Sequence, residues 1–253
     1  MLKLVMVIPR RPDVTHAYFL QHVATTHLQV VDQVPEFRNR VRRYVQNHLY
    51  VDPHELASIH GASAIPSADG LIEVWFTSID DMLGAFQEPR YMELIRPDEL
   101  RFGDVAGAWG LPVHDTQVVE RGDFKGLTKL FVFVKRPDAV PYTTFQERWH
   151  RYCDEQLRPS LAFDANVGRY VENWVSQDPA EALPDIKPYD LVAEFWLDTL
   201  DDVAAFTRDQ NVQPALAAAS FIDAEQTRFY LGRENPAAEQ WLIQSQPQAA
   251  RAG

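Results

Sequence analysis

The chain has 253 residues, 46% of them hydrophobic and 24% charged, with a net charge of −12, a length that predicts two units of roughly 100–150 residues. The acidic balance argues against nucleic acid, whose binding rests on basic contacts to phosphate, and against an anionic membrane surface. No apolar run approaches the ~20 residues that cross a bilayer, and the single cysteine, Cys153, excludes an intrachain disulfide and fits a reducing cytoplasm.

Leu2–Ile8 is a short β-branched apolar run, hence a strand, closed by Pro9 and Pro12. Thr15 is placed to cap a helix on which Phe19, His22, Val23, His27 and Val30 recur at helical spacing until Pro35. Residues 41–51 alternate, with Arg43, Val45, Asn47 and Leu49 on one face and Arg42, Tyr44, Gln46 and His48 on the other. A Pro/Ser/Ala/Gly-rich loop over 52–69 follows, in which His54 and His60 are read as solvated. Residues 70–77 form a third strand, and a second helix starts at Met82 behind Asp80 and Asp81, which suit its positive end. Residues 89–115 read as irregular, and 116–121 as a fourth strand.

The pattern then returns at an offset of 126 residues, which relates Phe19 to Phe145, His27 to Cys153, Arg43 to Arg169 and Tyr44 to Tyr170. Strand 129–134 repeats 3–8, the helix at 144–157 repeats the first, and strands follow at 168–175, 191–197 and 225–232. A fixed offset held across a helix and the next strand marks an internal duplication. The expected domains are 1–124 and 125–235, followed by an Ala/Gln-rich tail over 236–253 with Trp241 docked on the body. Each copy reads β-α-β-β-α-β, the ferredoxin-like arrangement. Strand 1 is apolar on both faces, so the uncovered face of each antiparallel sheet must also be buried. The fold class expected is therefore α+β, with two tandem repeats whose sheets pack face to face into an intrachain α+β barrel.

A strand ending in Arg-Pro, then Phe19-x-x-His22-x-x-x-x-His27, then Arg43-Tyr-Val-Gln-Asn-His48 resembles the EthD-like branch of the dimeric α+β barrel superfamily. The resemblance spans nearly the whole chain as two tandem copies and is densest over residues 3–48. It implies a ligand held between the helices and the concave sheet of one copy, and it places the family's helix histidine at His27. The second copy departs from the pattern, with Cys153 at that position and Trp174 in place of His48, so its site is expected to be degenerate. The superfamily hosts polyketide cyclases, small lyases, isomerases, cofactor-free monooxygenases and haem-binding enzymes, so the fold alone does not choose among them.

The residues supply the candidate chemistry. His27 is the expected general acid/base, since an imidazole titrates near neutral pH; the alternative is a hydrogen bond to a strand carbonyl. His22, five residues away, lies roughly 140° around a regular helix and should not share the cavity squarely with His27; it is read as substrate-binding or solvated. His48 is the second catalytic candidate. Tyr44 shares its strand face, as a substrate-orienting phenol or plain core. Glu73, mid-strand between apolar neighbours and matched by Glu194, is either a site carboxylate or an ion-pair partner of Arg43 or Arg169 between the sheets. Trp75 shares its face. Asp104 and His114 sit in the extra length of copy 1, where loops carry specificity.

Cys153 is flanked by Asp154 and Glu155, which oppose a reactive thiolate. No Gly-x-Gly-x-x-Gly, Walker, Gly-x-Ser-x-Gly, His-Glu-x-x-His or Cys-x-x-Cys pattern occurs, so no metal or nucleotide cofactor is expected. The expected function is cofactor-independent histidine acid/base chemistry on an aromatic or polyketide-like small molecule, as a lyase or isomerase. The alternatives are a cofactor-free monooxygenase on a similar phenol, a non-catalytic binding protein, and a haem protein. The expected assembly is a monomer or a homodimer.

Overall fold

The computed structural model describes residues 1–57, 59, 68–183 and 187–238. The first half runs β1 (Leu2–Ile8), α1 (His16–Ala24), α2 (Thr26–Asp32), α3 (Pro35–Arg38), β2 (Arg43–Leu49), α4 (Pro53–Leu56), β3 (Gly70–Phe76) and α5 (Ile79–Phe86). A π-helical turn (Tyr91–Ile95), α6 (Arg96–Phe102) and β4 (Trp109–Glu120) complete it. The second half runs β5 (Thr128–Val134), α7 (Tyr142–Tyr152), a π-helical turn (Cys153–Leu157), α8 (Leu161–Asn166), β6 (Arg169–Val175), β7 (Leu191–Leu197), α9 (Leu200–Arg208), α10 (Gln213–Ala218) and β8 (Arg228–Asn235). His60 and Trp241 lie outside the described residues.

The eight strands form one closed antiparallel barrel in the order β1-β3-β2-β8-β5-β7-β6-β4. The expectation of two separate sheets facing each other needs correction, because their edges are hydrogen-bonded. β2 pairs with β8, and β4 pairs with β6. Closure removes the exposed sheet edges that would otherwise template aggregation. It also explains why β4 begins seven residues before its expected start at 116. The first part of β4 pairs with β1 and the rest with β6, with a register shift between Gln117 and Val119.

Alternation along each strand divides the apolar residues between two environments. Val5, Val7, Leu71, Phe131 and Phe133 fill the barrel interior. Leu2, Leu4, Ile72 and Val74 face outward beneath the first-half helices, and a larger cluster around Phe145, Trp149 and Phe195 lies beneath the second-half helices. Caps behave as the sequence suggests. The Thr15 hydroxyl accepts the Tyr18 amide at 3.1 Å at the start of α1. Thr15→Ala should therefore lower stability by about 1 kcal/mol, measured as a shift in urea midpoint at unchanged slope.

The barrel interior also carries charge. Lys3, Lys129, Glu73 and Glu194 are each 0–1% exposed. Lys3 Nζ lies 2.6 Å from Glu194 and also contacts Glu73, while Lys129 Nζ lies 2.5 Å from Glu73 and 3.0 Å from Glu194. Asn47 and Asn173 each donate to one of the carboxylates at 2.8 Å. Glu73 is thus an ion-pair residue, but its partners are lysines. Arg43 and Arg169 instead lie over the rings of Trp75 and Trp196, at 4.7 and 4.6 Å.

Candidate functional site

A cavity of about 320 Å³ lies between the helices of the first half and the outer face of β1 and β3. Leu4, Met6, Ile72 and Val74 line it from the sheet, and Val23, Val31, Phe37, Ile95 and Phe102 line it from the helical side. Trp109 and Gly110 of β4 and Leu183 from the second half also border it. Its polar members are His27, Arg38, Tyr44, Arg96 and Glu99, together with the phenol of Tyr91.

The arrangement of the histidines departs from a regular helix. The chain breaks at Thr25 (φ −130°, ψ −73°), which separates α1 from α2. Thr25 is one of two consecutive β-branched residues, and its hydroxyl donates to the Gln21 carbonyl at 2.7 Å, a bond that disturbs the helical ladder. Helical counting therefore fails across it. His22 Nε2 lies 3.0 Å from one oxygen of Asp98, and His27 Nδ1 lies 3.0 Å from the other. Both imidazoles are buried, so His22 is neither solvated nor remote from His27. The Phe102 ring packs against both, with centroids 5.0 and 5.2 Å away.

Asp98 lies in the first turn of α6 and is 3% exposed. Burial pushes its carboxyl up, but the hydrogen bonds from His27 and His22 outweigh burial and hold it below the usual range. An ionised carboxylate accepts and does not donate, so each histidine presents it an N–H. His27 then carries its proton on Nδ1, which leaves the Nε2 lone pair for the cavity.

The next residue, Glu99, accepts from the Tyr91 phenol at 2.7 Å and from Arg96 at 2.9 Å. Tyr44 completes this polar end. Its phenol accepts from Gln46 Nε2 at 3.1 Å, and burial pushes its pKa up to about 12. Tyr91 belongs to the π-helical turn, a distortion that often accompanies functional sites.

Several expected site residues lie elsewhere. Glu73 and Trp75 point into the barrel, because their neighbours Ile72 and Val74 take the cavity face of β3. Trp75 donates to Asp115 at 3.1 Å. His48 shares its strand face with Tyr44 but lies beyond α1, in a second crevice of about 660 Å³ with His16 and Arg233. Its Nε2 is buried without a hydrogen-bond partner, and burial together with His16 lowers its pKa. Asp104 caps a turn by accepting the Gly107 amide at 3.2 Å, and its neighbours line the cavity instead. His114 is exposed and pairs with Glu181 at 2.8 Å, since β4 has by then left β1 for β6. His54 is exposed in α4.

Asp98, Glu99, Tyr91 and Arg96 were not legible as site residues. They fall in the stretch read as irregular, and only the two carboxylates immediately after Pro97 hinted at a helical first turn.

The second half fills the corresponding positions. Val23 is matched by Trp149 and Gln46 by Glu172. Glu172 accepts from Trp149 at 3.0 Å, Tyr170 at 2.8 Å and Trp174 at 3.1 Å. Cys153 is buried beside it, and burial pushes its thiol well up, away from nucleophilic use. Among the described residues no group of three or more metal-ligating side chains gathers, and no helix is long and apolar enough to cross a membrane.

A closed eight-stranded antiparallel sheet with helices on its outside defines an α+β barrel protein. Residues 11–106 match the family model of the EthD domain, so through its first half the chain belongs to the EthD-domain proteins. No curated protein matches the chain at a significant level. Solved structures share the fold at low identity. A chlorite dismutase from Candidatus Nitrospira defluvii, solved with imidazole, is 13% identical with a TM-score of 0.53, covering 96% of this chain and 94% of its own. A candidate monooxygenase from Fusobacterium nucleatum is 7% identical with a TM-score of 0.53, covering 92% and 91%. A candidate chlorite dismutase reaches 0.54 at 11% identity, covering 95% and 97%.

Proposed function

We propose that the first-half cavity is the active site of a small-molecule enzyme in which His27 acts as general base on an apolar, aromatic or polyketide-like substrate. One observation carries this reading: a buried carboxylate holds His27 by Nδ1 and leaves Nε2 at the edge of an otherwise apolar cavity. Apolar walls with a few placed polar groups suit such a ligand. Tyr44 and Arg96 border the same space and would orient a hydroxyl or carbonyl oxygen. The second half serves as a packed scaffold whose own site has degenerated.

Proton removal by His27 leaves an enolate or phenolate, and two outcomes of that anion are compatible with the cavity. Reprotonation or loss of a leaving group gives isomerase or lyase chemistry. Reaction of the anion with dioxygen gives cofactor-free oxygenation, which the likeness to monooxygenase candidates makes equally natural. The test is turnover of a panel of planar phenols and hydroxyketones by wild type and His27→Ala, followed by absorbance and an oxygen electrode. Loss of about 10²-fold or more in the variant supports the base. Oxygen uptake selects oxygenation over the other outcome. A Soret band in the purified protein, or a variant as active as wild type, would overturn the reading.

A further inference from the structure

Glu99 is a titratable group that the base reading does not use, and it shares the cavity with His27. We propose that Glu99 is the second proton-transfer group of the site, so that the cavity interconverts the keto and enol forms of a planar, apolar ketone. This rests on His27 being the base.

The geometry supports it from several sides. Asp98 and Glu99 are consecutive in the first turn of α6, yet they serve different partners. Asp98 turns to the two histidines, and Glu99 to Tyr91 and Arg96. Glu99 lies within electrostatic range of both His27 and Tyr44, so the three gather at one end of the cavity. The groups facing it are Tyr91 from the π-helical turn, Arg96 and Asp98 from its own helix, His27 from α2 and Tyr44 from β2. Burial pushes its carboxyl above the usual range, against the Tyr91 hydrogen bond and the charges of His27 and Arg96. A carboxyl that keeps its proton toward neutral pH beside an imidazole that lacks one is an acid–base pair set apart by environment.

The step balances without a redox partner. His27 Nε2 takes the proton from the acidic C–H, and that bond's electron pair enters the carbon framework. The carbonyl π pair moves onto oxygen, which takes the Glu99 proton to give the enol. Exchange with solvent returns a proton to Glu99 and removes one from His27.

Anthrone is a suitable probe, because it is a flat three-ring ketone whose methylene loses a proton as the central ring becomes aromatic. Its exchange in D₂O would be followed anaerobically by NMR across pH, with binding checked by fluorescence and folding by circular dichroism. Wild type should show a bell-shaped rate, the acid limb from His27 and the alkaline limb from Glu99. Glu99→Gln should fall about 100-fold and lose the alkaline limb. Tyr91→Phe removes a hydrogen bond that favours the ionised carboxylate, so its alkaline limb should move to higher pH. If His27→Ala collapses while Glu99→Gln stays within about 3-fold with both limbs intact, the Glu99 assignment is overturned and the His27 reading stands. If His27→Ala exchanges as fast as wild type, both fall.

Discussion

Lys129→Met should destabilise the fold by about 3–5 kcal/mol, the usual cost of removing one partner from a buried ionic group. Lys129 Nζ is held by Glu73 at 2.5 Å, Glu194 at 3.0 Å and Glu234 at 3.5 Å, and it sits 4.1 Å above the Trp196 ring. Its removal leaves Lys3 as the one lysine against Glu73 and Glu194 in a space closed to water. The cluster is built equally by both halves, one lysine, one glutamate and one asparagine from each, and its bonds cross between them. The cost should therefore appear as loss of the whole barrel in a single transition.

The pH dependence of that loss has a definite sign. In the wild type, burial and the neighbouring Glu73 push the Glu194 carboxyl up, while Lys129 and Lys3 oppose them. The same two lysines overcome burial at Glu73 and hold it well below the usual range. Without Lys129 both carboxyls rise, and the native state binds more protons than the unfolded chain. Stability of the variant then increases as pH falls through the raised folded values toward the unfolded value near ~4.3. Urea denaturation at pH 7.5 and pH 5.5 should show the deficit shrinking at the lower pH. A deficit below about 1 kcal/mol at pH 7.5 would show that the cluster does not tie the barrel together.

Much of this architecture is local and therefore legible. Apolar alternation in 2–8 and 129–134, the Thr15 cap and the 126-residue offset are properties of neighbouring residues, and they survive into the structure. What fails depends on partners far away in sequence. The early part of β4 is a strand because β1 is present to pair with it, and nothing in its Trp-Gly-Leu-Pro opening announces that. The break at Thr25 brings His22 and His27 to one carboxylate, whereas unbroken helical spacing sets them apart. Asp98 looks like any acidic residue in a helical first turn until α6 packs on α1 and α2. The lysine cluster did carry a sign, a lysine inside each of two matched apolar strands. Its meaning depends on both facing Glu73 across a closed barrel, and the arginines looked like the nearer partners.

Asp98→Asn should lower proton-transfer activity on the order of 10²–10⁴-fold while leaving the protein folded. An amide offers one acceptor and one donor where the carboxylate offered two acceptors. If its NH₂ faces His27, Nδ1 must become the acceptor, the proton moves to Nε2, and the cavity faces a ring nitrogen with no lone pair. If its NH₂ faces His22, His27 keeps its tautomer but loses the negative charge that stabilises it once protonated. Both arrangements weaken the base, so the prediction does not depend on which way the amide turns. His22→Phe should cost less, because His22 touches the carboxylate without bordering the cavity. Stability offers an independent check. Because the folded Asp98 carboxyl is held low, its contribution is present above the unfolded value near ~3.9 and is lost as pH falls through the folded one. The difference between wild type and Asp98→Asn should therefore be larger at pH 6 than at pH 3. The anaerobic anthrone assay reads the catalytic part. Exchange within about 3-fold of wild type would mean that His27 does not depend on this carboxylate, and that burial alone explains the contact.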